Sequence, residues 1–580
     1  MELPDQPPRK KLRPDDKADD NKDSFNEVNG SSLNSPSISA MNSNTVFKNS
    51  NSEKSFNKSF TLKIQGSNGI HSSNGMSNTK MENNNANGNN SASNAKNENG
   101  ACFINRFQFE KLQHQRKSLP IYHGSETLMK YIGNHDTIIL AGETGSGKTT
   151  QVPQFLYEDR LLLKGGCVVT QPRRIAATTI ATRVAQEMRT QLGQLVGYSV
   201  RFDDMTSDKT KIKFATDGML LREAMLDPCL KRYSYVILDE AHERTVNTDI
   251  LFGVVKAAQK VRKEKDTRPL HIIVMSATMN YQKFVDYFNG CPILNAPGRE
   301  HKLDLYFLDT TCKLIDYVPQ CLCLAMKVHR DYPVNQGILV FLTGQEEIDQ
   351  ACDALRIIMK RVDPSRFPPM KVSPLYAALP QHLQIEAFAP TPQGVRHVIV
   401  ATNIAETSVT IPGIRHVVES GHVKVRTFSP SSGFETLKVR RICQAQAWQR
   451  AGRAGREADG ICHFAYTDQQ FDKMMHFPIP EIHRAHLGAV VLQLLSVGVT
   501  DIYNFDFVDK PREASFRCAV DQLVLLEAVE KKENGQIHLT ELGKKMAVFP
   551  LEPKYSKIII MGPQYKCTEE VRLIKLQIFM

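Results

Sequence analysis

No two of the twelve cysteines form a CxxC pair, and the nearest approach is Cys321 with Cys323. That spacing excludes a zinc knuckle and gives no disulfide framework, so the thiols read as reduced and intracellular. There is no apolar run of transmembrane length, and the charged, polar N-terminus is not a signal peptide. The expectation is a soluble protein of the nucleus or cytosol with no membrane partner. HExxH is absent as well, which removes the usual zinc-hydrolase spacing from the histidines. One-sided charge is also scarce: a net +11 over 580 residues, with pI near 8.9, favours a polyanionic partner but is weak support for nucleic acid by itself.

What is present is enough apolar residue, 41%, to build cores, over a length that calls for three or more domains. Residues 1–101 contribute nothing to them. They are dominated by Asn, Ser, Lys and Gly, and read as a disordered tail. Within the tail, PPRKKLRP at 7–14 is either a nuclear import signal or a solvated charge run. From 102 to 296 short β-rich runs alternate with helical ones, as in a parallel sheet covered on both faces. The pattern repeats from 297 to 476, except that 421–442, two alternating runs around SPSSG, reads as a projecting β-hairpin. Residues 477–549 turn helical with a short strand, which fits a winged-helix domain, and a further helical segment occupies 550–580.

The first repeat is organised around GETGSGKTT, Gly142 to Thr150, which follows the apolar run TIILA. Gly142, Gly145 and Gly147 let the backbone turn so that its N–H groups converge on phosphate oxygens, with Glu143, Thr144 and Ser146 between them. Lys148 reaches the β and γ phosphates, and Thr149 offers its hydroxyl to Mg²⁺ at the start of a helix that also carries Thr150. Two elements later VILDE ends a strand in two carboxylates. In isolation that is an ordinary solvated strand end; downstream of a phosphate loop it places Asp239 on Mg²⁺ and Glu240 on the attacking water. His242 lacks zinc partners and is expected to couple the nucleotide to the neighbouring domain, with Ser276 and Thr278 as a hydroxyl relay. Gln449 to Arg456, QRAGRAGR, is either a basic surface or a set of arginine fingers from the second repeat, and the glycines disfavour a plain surface helix.

These stretches, together with TQPRRIAA, TDGMLLREA, MSAT, FLTGQEEI and ATNIAETSVTI in that order, resemble the DEAH-box family of superfamily 2 RNA helicases from about Arg116 to about Glu570. VGYSVRFDD, FGVVKAAQK and AVFPLEPK are similar to the subfamily called DEAH-box helicase 33. The resemblance implies an α/β fold of two tandem RecA-like domains, then a winged-helix domain and a truncated helical ratchet domain. It implies ATP, with other nucleoside triphosphates accepted, and Mg²⁺ served by Thr149, Asp239 and Glu240. Catalysis would fall to Lys148, Glu240, Gln449, Arg453 and Arg456, and Arg183 and Phe388 would sandwich the base. Single-stranded RNA would meet Arg173, Arg174, Thr216, Thr343, Gly344 and Thr402, and 421–442 would separate strands.

The implied activity is 3′ to 5′ movement on RNA and remodelling of duplexes with a 3′ overhang or of ribonucleoproteins, by a monomer with possible protein cofactors. Localisation follows as nuclear, in the nucleolus, with the cytoplasm open. No glutamine-based adenine reader is visible upstream of the loop, and Pro412 stands where many relatives place an Asp for the nucleotide sugar. The rival reading is an RNA-stimulated switch that cannot unwind, and a DNA helicase is compatible with the same phosphate contacts.

Overall fold

The computed structural model describes the strand Ser59–Thr61 and residues 106–571, apart from 144, 278–280, 297, 299–300, 310–316, 407–410, 533–535 and 550. The basic run 7–14 and most of the tail lie outside the described residues. Ser59–Thr61 (β1) pairs in parallel with Ile293–Asn295. An edge strand offers unpaired backbone groups that any extended segment can satisfy.

The first domain holds a nine-stranded sheet. After β1 come β2 (Thr137–Gly142), β3 (Gly166–Gln171), β4 (Val196–Val200), β5 (Asp203–Met205), β6 (Ile212–Thr216), β7 (Tyr233–Leu238), β8 (His271–Ser276) and β9 (Ile293–Ala296). Their order is β1-β9-β2-β8-β7-β3-β6-β4-β5, parallel except for β5. Apolar runs such as VVT and YVIL are buried on both faces, as helix-covered parallel strands require. Loops at the carboxyl ends of β2, β8 and β7 therefore lie side by side, where open α/β sheets bind ligands.

The second domain repeats the plan with β10 (Leu303–Tyr306), β11 (Gly337–Phe341), β12 (Met370–Leu375), β13 (Arg396–Ala401) and β14 (Ile414–Glu419). β15 (His422–Phe428) and β16 (Glu435–Arg441) form the antiparallel hairpin, and β17 (Gly460–Phe464) rejoins the sheet in the order β10-β17-β14-β11-β13-β12. The hairpin is the one expected at 421–442. β4, β5, β9 and β17 are strands that the sequence pattern alone did not single out.

The winged helix comprises helices Gly488–Ser496, Glu513–Leu525 and Glu541–Val548 with β18 (Val529–Lys531) and β19 (Ile537–Leu539). It shares a core with the first domain: Val491, Phe516 and Val520 belong to the same apolar cluster as Val236, Phe252 and Val274. A Cβ on Gly253 would stand 2.3 Å from the Phe505 ring, so only glycine permits this approach. Arg244 fastens the seam, pairing with Asp249 at 2.6 Å and with Asp509 at 2.8 Å. Among the described residues no helix is long and apolar enough to cross a membrane.

Candidate nucleotide site and nucleic-acid groove

The loop after β2 turns through glycines with positive φ, Gly145 and Gly147 both at 93°. A Cβ on Gly147 would lie 2.9 Å from Leu119 Cδ1, so the segment before the loop presses it into shape. Lys148 opens the helix Lys148–Glu158, and its amine donates to the carbonyls of Gly142 and Glu143 and to Ser146 Oγ. Burial holds that amine below its ordinary pKa, opposed by Asp239, Glu240 and Glu143. Thr150 Oγ1 caps back to Gly147 O at 3.3 Å. Thr144 lies outside the described residues.

Thr149 Oγ1 donates to Asp239 Oδ2 at 2.6 Å, which joins the phosphate loop to the end of β7. Gln171 donates to the same oxygen at 2.6 Å. Burial, then the neighbouring Glu240 charge, pushes the Asp239 carboxyl up to about 6. Glu240 sits in the left-handed region at φ 51°, an unusual geometry for a non-glycine residue that collects at functional positions. His242, in the short 3₁₀ turn Ala241–Glu243, accepts from the Ala277 N–H at its Nδ1, at 3.3 Å. That fixes the proton on Nε2, which faces Glu240 Oε2 at 3.4 Å. Burial lowers the His242 pKa, so the ring is neutral at pH 7. Ser276 is buried at the end of β8; Thr278 lies outside the described residues.

The arginines of QRAGRAGR divide. Arg450, on the helix Gln444–Ala451, is fully buried and paired to Glu406 at 2.8 Å and Glu419 at 2.9 Å. It is a core residue, which corrects the picture of three arginines all aimed at phosphate. Arg453 is also buried, and donates to the carbonyl of Glu406. Burial lowers both Arg453 and Arg456, the latter to about 10, and the Glu240 charge opposes the shift in each. The second domain thus presents two desolvated cations towards the carboxylate of the first, while Gln449 is half-buried on the helix that precedes them. Such cations are stabilised by an arriving polyphosphate, and Thr149 with Asp239 is a hard-oxygen pair of the kind Mg²⁺ takes alongside phosphates. Among the described residues no cluster of three or more His, Cys, Asp or Glu gathers that could hold a metal.

On the base side, Arg183 donates from Nε to Glu187 Oε1 at 2.6 Å and from Nη2 to Gln115 at 3.3 Å. Buried Glu187 also accepts from Gln151 at 2.9 Å and Gln154 at 2.7 Å, both on the phosphate-loop helix. Its backbone carbonyl accepts from Gln113. Sequence reading passed over this network; its only trace was the i,i+4 pair Arg183 and Glu187. The upstream glutamines are thus engaged with Glu187 and Arg183. Phe388 is on the second domain, half-buried against that domain's core.

The expected RNA contacts spread over both domains. Arg173 spans the cleft, donating to Ile404 O at 3.0 Å and pairing with Glu243 at 3.5 Å. Arg174 and Thr216 line a groove of about 560 Å³ between the first domain and the winged helix. Thr343 donates its backbone N–H to Glu347 Oε2 at 3.1 Å, and Gly344 faces Lys424 of the hairpin. Thr402 caps the 3₁₀ turn Asn403–Ala405.

The DEAD/DEAH box helicase family model matches residues 115–286, the helicase conserved C-terminal domain matches 319–458, and the winged-helix helicase associated domain (HA2) matches 519–551. The chain is 52% identical over 465 residues to the ATP-dependent RNA helicase DHX33 of Homo sapiens, covering 80% of this chain and 65% of that protein. It is 46% identical over 460 residues to the Drosophila melanogaster protein of the same name, covering 79% and 65%. The chain thus spans just under two thirds of the length of these curated relatives. Among solved structures, the Escherichia coli DEAH/RHA helicase HrpB aligns with TM-score 0.67 and 30% identity over 76% of this chain and 54% of that one. With Asp-Glu-Ala-His closing β7 and both halves of the helicase core matched, the chain belongs to the DEAH-box helicase family.

Proposed function

We propose that the protein is an ATP-dependent RNA helicase that hydrolyses nucleoside triphosphate with Mg²⁺ and moves 3′ to 5′ along single-stranded RNA. The observation that carries this reading is the contact of Thr149 with Asp239 beneath the phosphate loop, facing the desolvated pair Arg453 and Arg456. The curated relatives named as ATP-dependent RNA helicases support it.

Lys148 and the loop N–H groups hold the β and γ phosphates. Thr149 and Asp239 hold Mg²⁺, which when bound neutralises charge on those phosphates. Glu240, with the His242 ring beside it at 3.4 Å, takes a proton from the attacking water. Arg453 and Arg456 stabilise the charge of the transition state, with Gln449 beside them. Arg183 and Phe388 stack on the base, which selects no particular nucleotide. Arg173, Arg174 and Thr216 grip RNA from one domain and Thr343, Gly344 and Thr402 from the other, so a change in their separation is movement along the strand. Contacts to phosphate and ribose carry little sequence information.

The deciding experiment is ATP turnover with and without single-stranded RNA, beside unwinding of duplexes bearing 3′ or 5′ overhangs. RNA-stimulated turnover with unwinding confined to the 3′ overhang is expected. Turnover without unwinding of either duplex would replace the helicase reading with that of a switch. We also assign the protein to the nucleus, on the basic run 7–14, and within it to the nucleolus, on the subfamily resemblance; loss of nuclear import when the lysines and arginines of that run are changed to glutamine checks the first.

A further inference from the structure

Tyr317 opens the helix Tyr317–Asp331 of the second domain, outside every stretch on which the sites above were built. The ring is buried. Its hydroxyl donates to Glu347 Oε1 at 2.6 Å, and the other oxygen of Glu347 accepts the Thr343 N–H. Its ring stacks on His422, the first residue of β15, with centroids 4.3 Å apart and planes 26° from parallel. One side chain thus touches both the loop after β11 and the root of the hairpin.

A buried tyrosine is ordinarily core filling, and that would account for the ring alone. It does not account for what the ring and hydroxyl hold in place. Burial, then the bond to Glu347, raises the phenol above its ordinary pKa, so it stays a donor. Glu347, with one oxygen on each partner, is kept in one orientation. On the other side, His422 Nδ1–H donates to the Ser420 carbonyl at 2.8 Å, and burial, then the Arg441 charge, lowers its pKa to about 4. The ring that Tyr317 meets is therefore neutral and fixed. A further contact between loop and hairpin, Lys424 over Gly344, is made by an exposed and flexible chain.

The hairpin root is also tied to the arginine segment. Arg450 donates to the His422 carbonyl at 3.2 Å and lies 5.0 Å from the centroid of the Phe341 ring at the end of β11. Its partner Glu406 accepts from Arg453 at the backbone carbonyl. Contacts thus run without a gap from Arg453, which faces the first domain, to the hairpin and the Thr343 loop, and packed, hydrogen-bonded chains of this kind can carry coupling.

We propose that Tyr317 is a positioning residue for strand separation: through Glu347 and His422 it locks the hairpin root to the Thr343 loop, so both follow the arginine segment as one body. This rests on the helicase reading above. Without the lock, closure of the cleft still moves the loop that grips RNA, but the hairpin lags and ATP is consumed with fewer base pairs opened.

The test uses the full chain with single-stranded RNA and with a duplex bearing a 3′ overhang. Tyr317→Phe keeps the ring and its stack and removes only the hydroxyl. ATP turnover without RNA and KM for ATP should stay at wild type, whereas ATP consumed per base pair opened should rise roughly 2- to 30-fold. A side chain that merely filled the core would lower turnover, unwinding and Tm together, and that parallel loss would overturn the proposal. Glu347→Ala, at a half-buried position, should give the same split, and adding Tyr317→Phe to it should change nothing further, because the hydroxyl acts through that carboxylate. An unchanged ratio in Tyr317→Phe, or additive effects in the double variant, would also overturn it. A wild-type chain that turns over ATP on RNA but opens no duplex would overturn the helicase reading itself, and this proposal with it.

Discussion

The two α/β domains share a parallel sheet and differ in what stands at its carboxyl edge. In the first, β2 runs into the phosphate loop and β7 into Asp239 and Glu240, with the end of β8 between them. In the second, β11 and β13 lead into Thr343 and Thr402, β14 feeds the hairpin, and the turn after Ala451 delivers Arg453 and Arg456. Burial drives the charges of each half towards neutrality, Asp239 upwards and the arginines downwards. The Glu240 charge opposes that shift in both arginines. Neither domain therefore owns a complete site: desolvated charges of opposite sign make each half the electrostatic complement of the other, so chemistry depends on how closely the domains approach.

Arg453→Ala is the strongest way to break this comparison. If the second domain supplies the finger, kcat should fall by roughly 10³ or more while nucleotide affinity changes only a few-fold, as rapid-quench turnover and equilibrium binding would read. An unchanged kcat would reduce the second domain to a scaffold. Glu240→Gln probes the first half and should cost about 10² to 10⁴ in turnover with binding preserved. Arg450→Ala separates chemistry from architecture. It strands Glu406 and Glu419 in the core, so it should cost about 3–5 kcal/mol of stability, seen as a lowered Tm. An unaltered Tm would show that the pairing is dispensable.

Why some of this was legible in sequence and some was not follows from where each signal is stored. The loop, β7 and the arginine segment are contiguous stretches whose spacing is itself the geometry, so Lys148, Thr149 and Asp239 meet as their order implied. The parallel strands announced themselves as apolar runs because helices cover both faces. β4, β5, β9 and β17 did not: VGYSV carries a Gly, a Tyr and a Ser within its five residues, and ICHF mixes Cys and His, so neither reads as an apolar run. Arg244 and Glu187 were missed, and Arg450 was read as a finger, for another reason. Each owes its role to partners remote in the chain, Asp509, Glu406 and Gln151, and a single sequence holds no record of such pairings.

Glu187 supplies the finest test of the divided site. If base and γ-phosphate are both clamped across the cleft, then Glu187 positions the half that the first domain contributes. It fixes the Arg183 guanidinium while tying it to Gln151 and Gln154 on the phosphate-loop helix. Glu187→Gln keeps the shape and removes the charge that Arg183 needs. Loss of one charge-assisted bond of about 1.5 kcal/mol would raise KM for ATP and GTP alike by roughly 10-fold, with kcat within about twofold. Phe388→Ala should act similarly from the second domain, whereas Glu187→Gln in an Arg183→Ala background should add nothing, because the group it positions is gone. A fall in kcat at constant KM would instead place Glu187 with the reacting phosphate, and additive effects in the double variant would show that it holds the helix rather than the arginine.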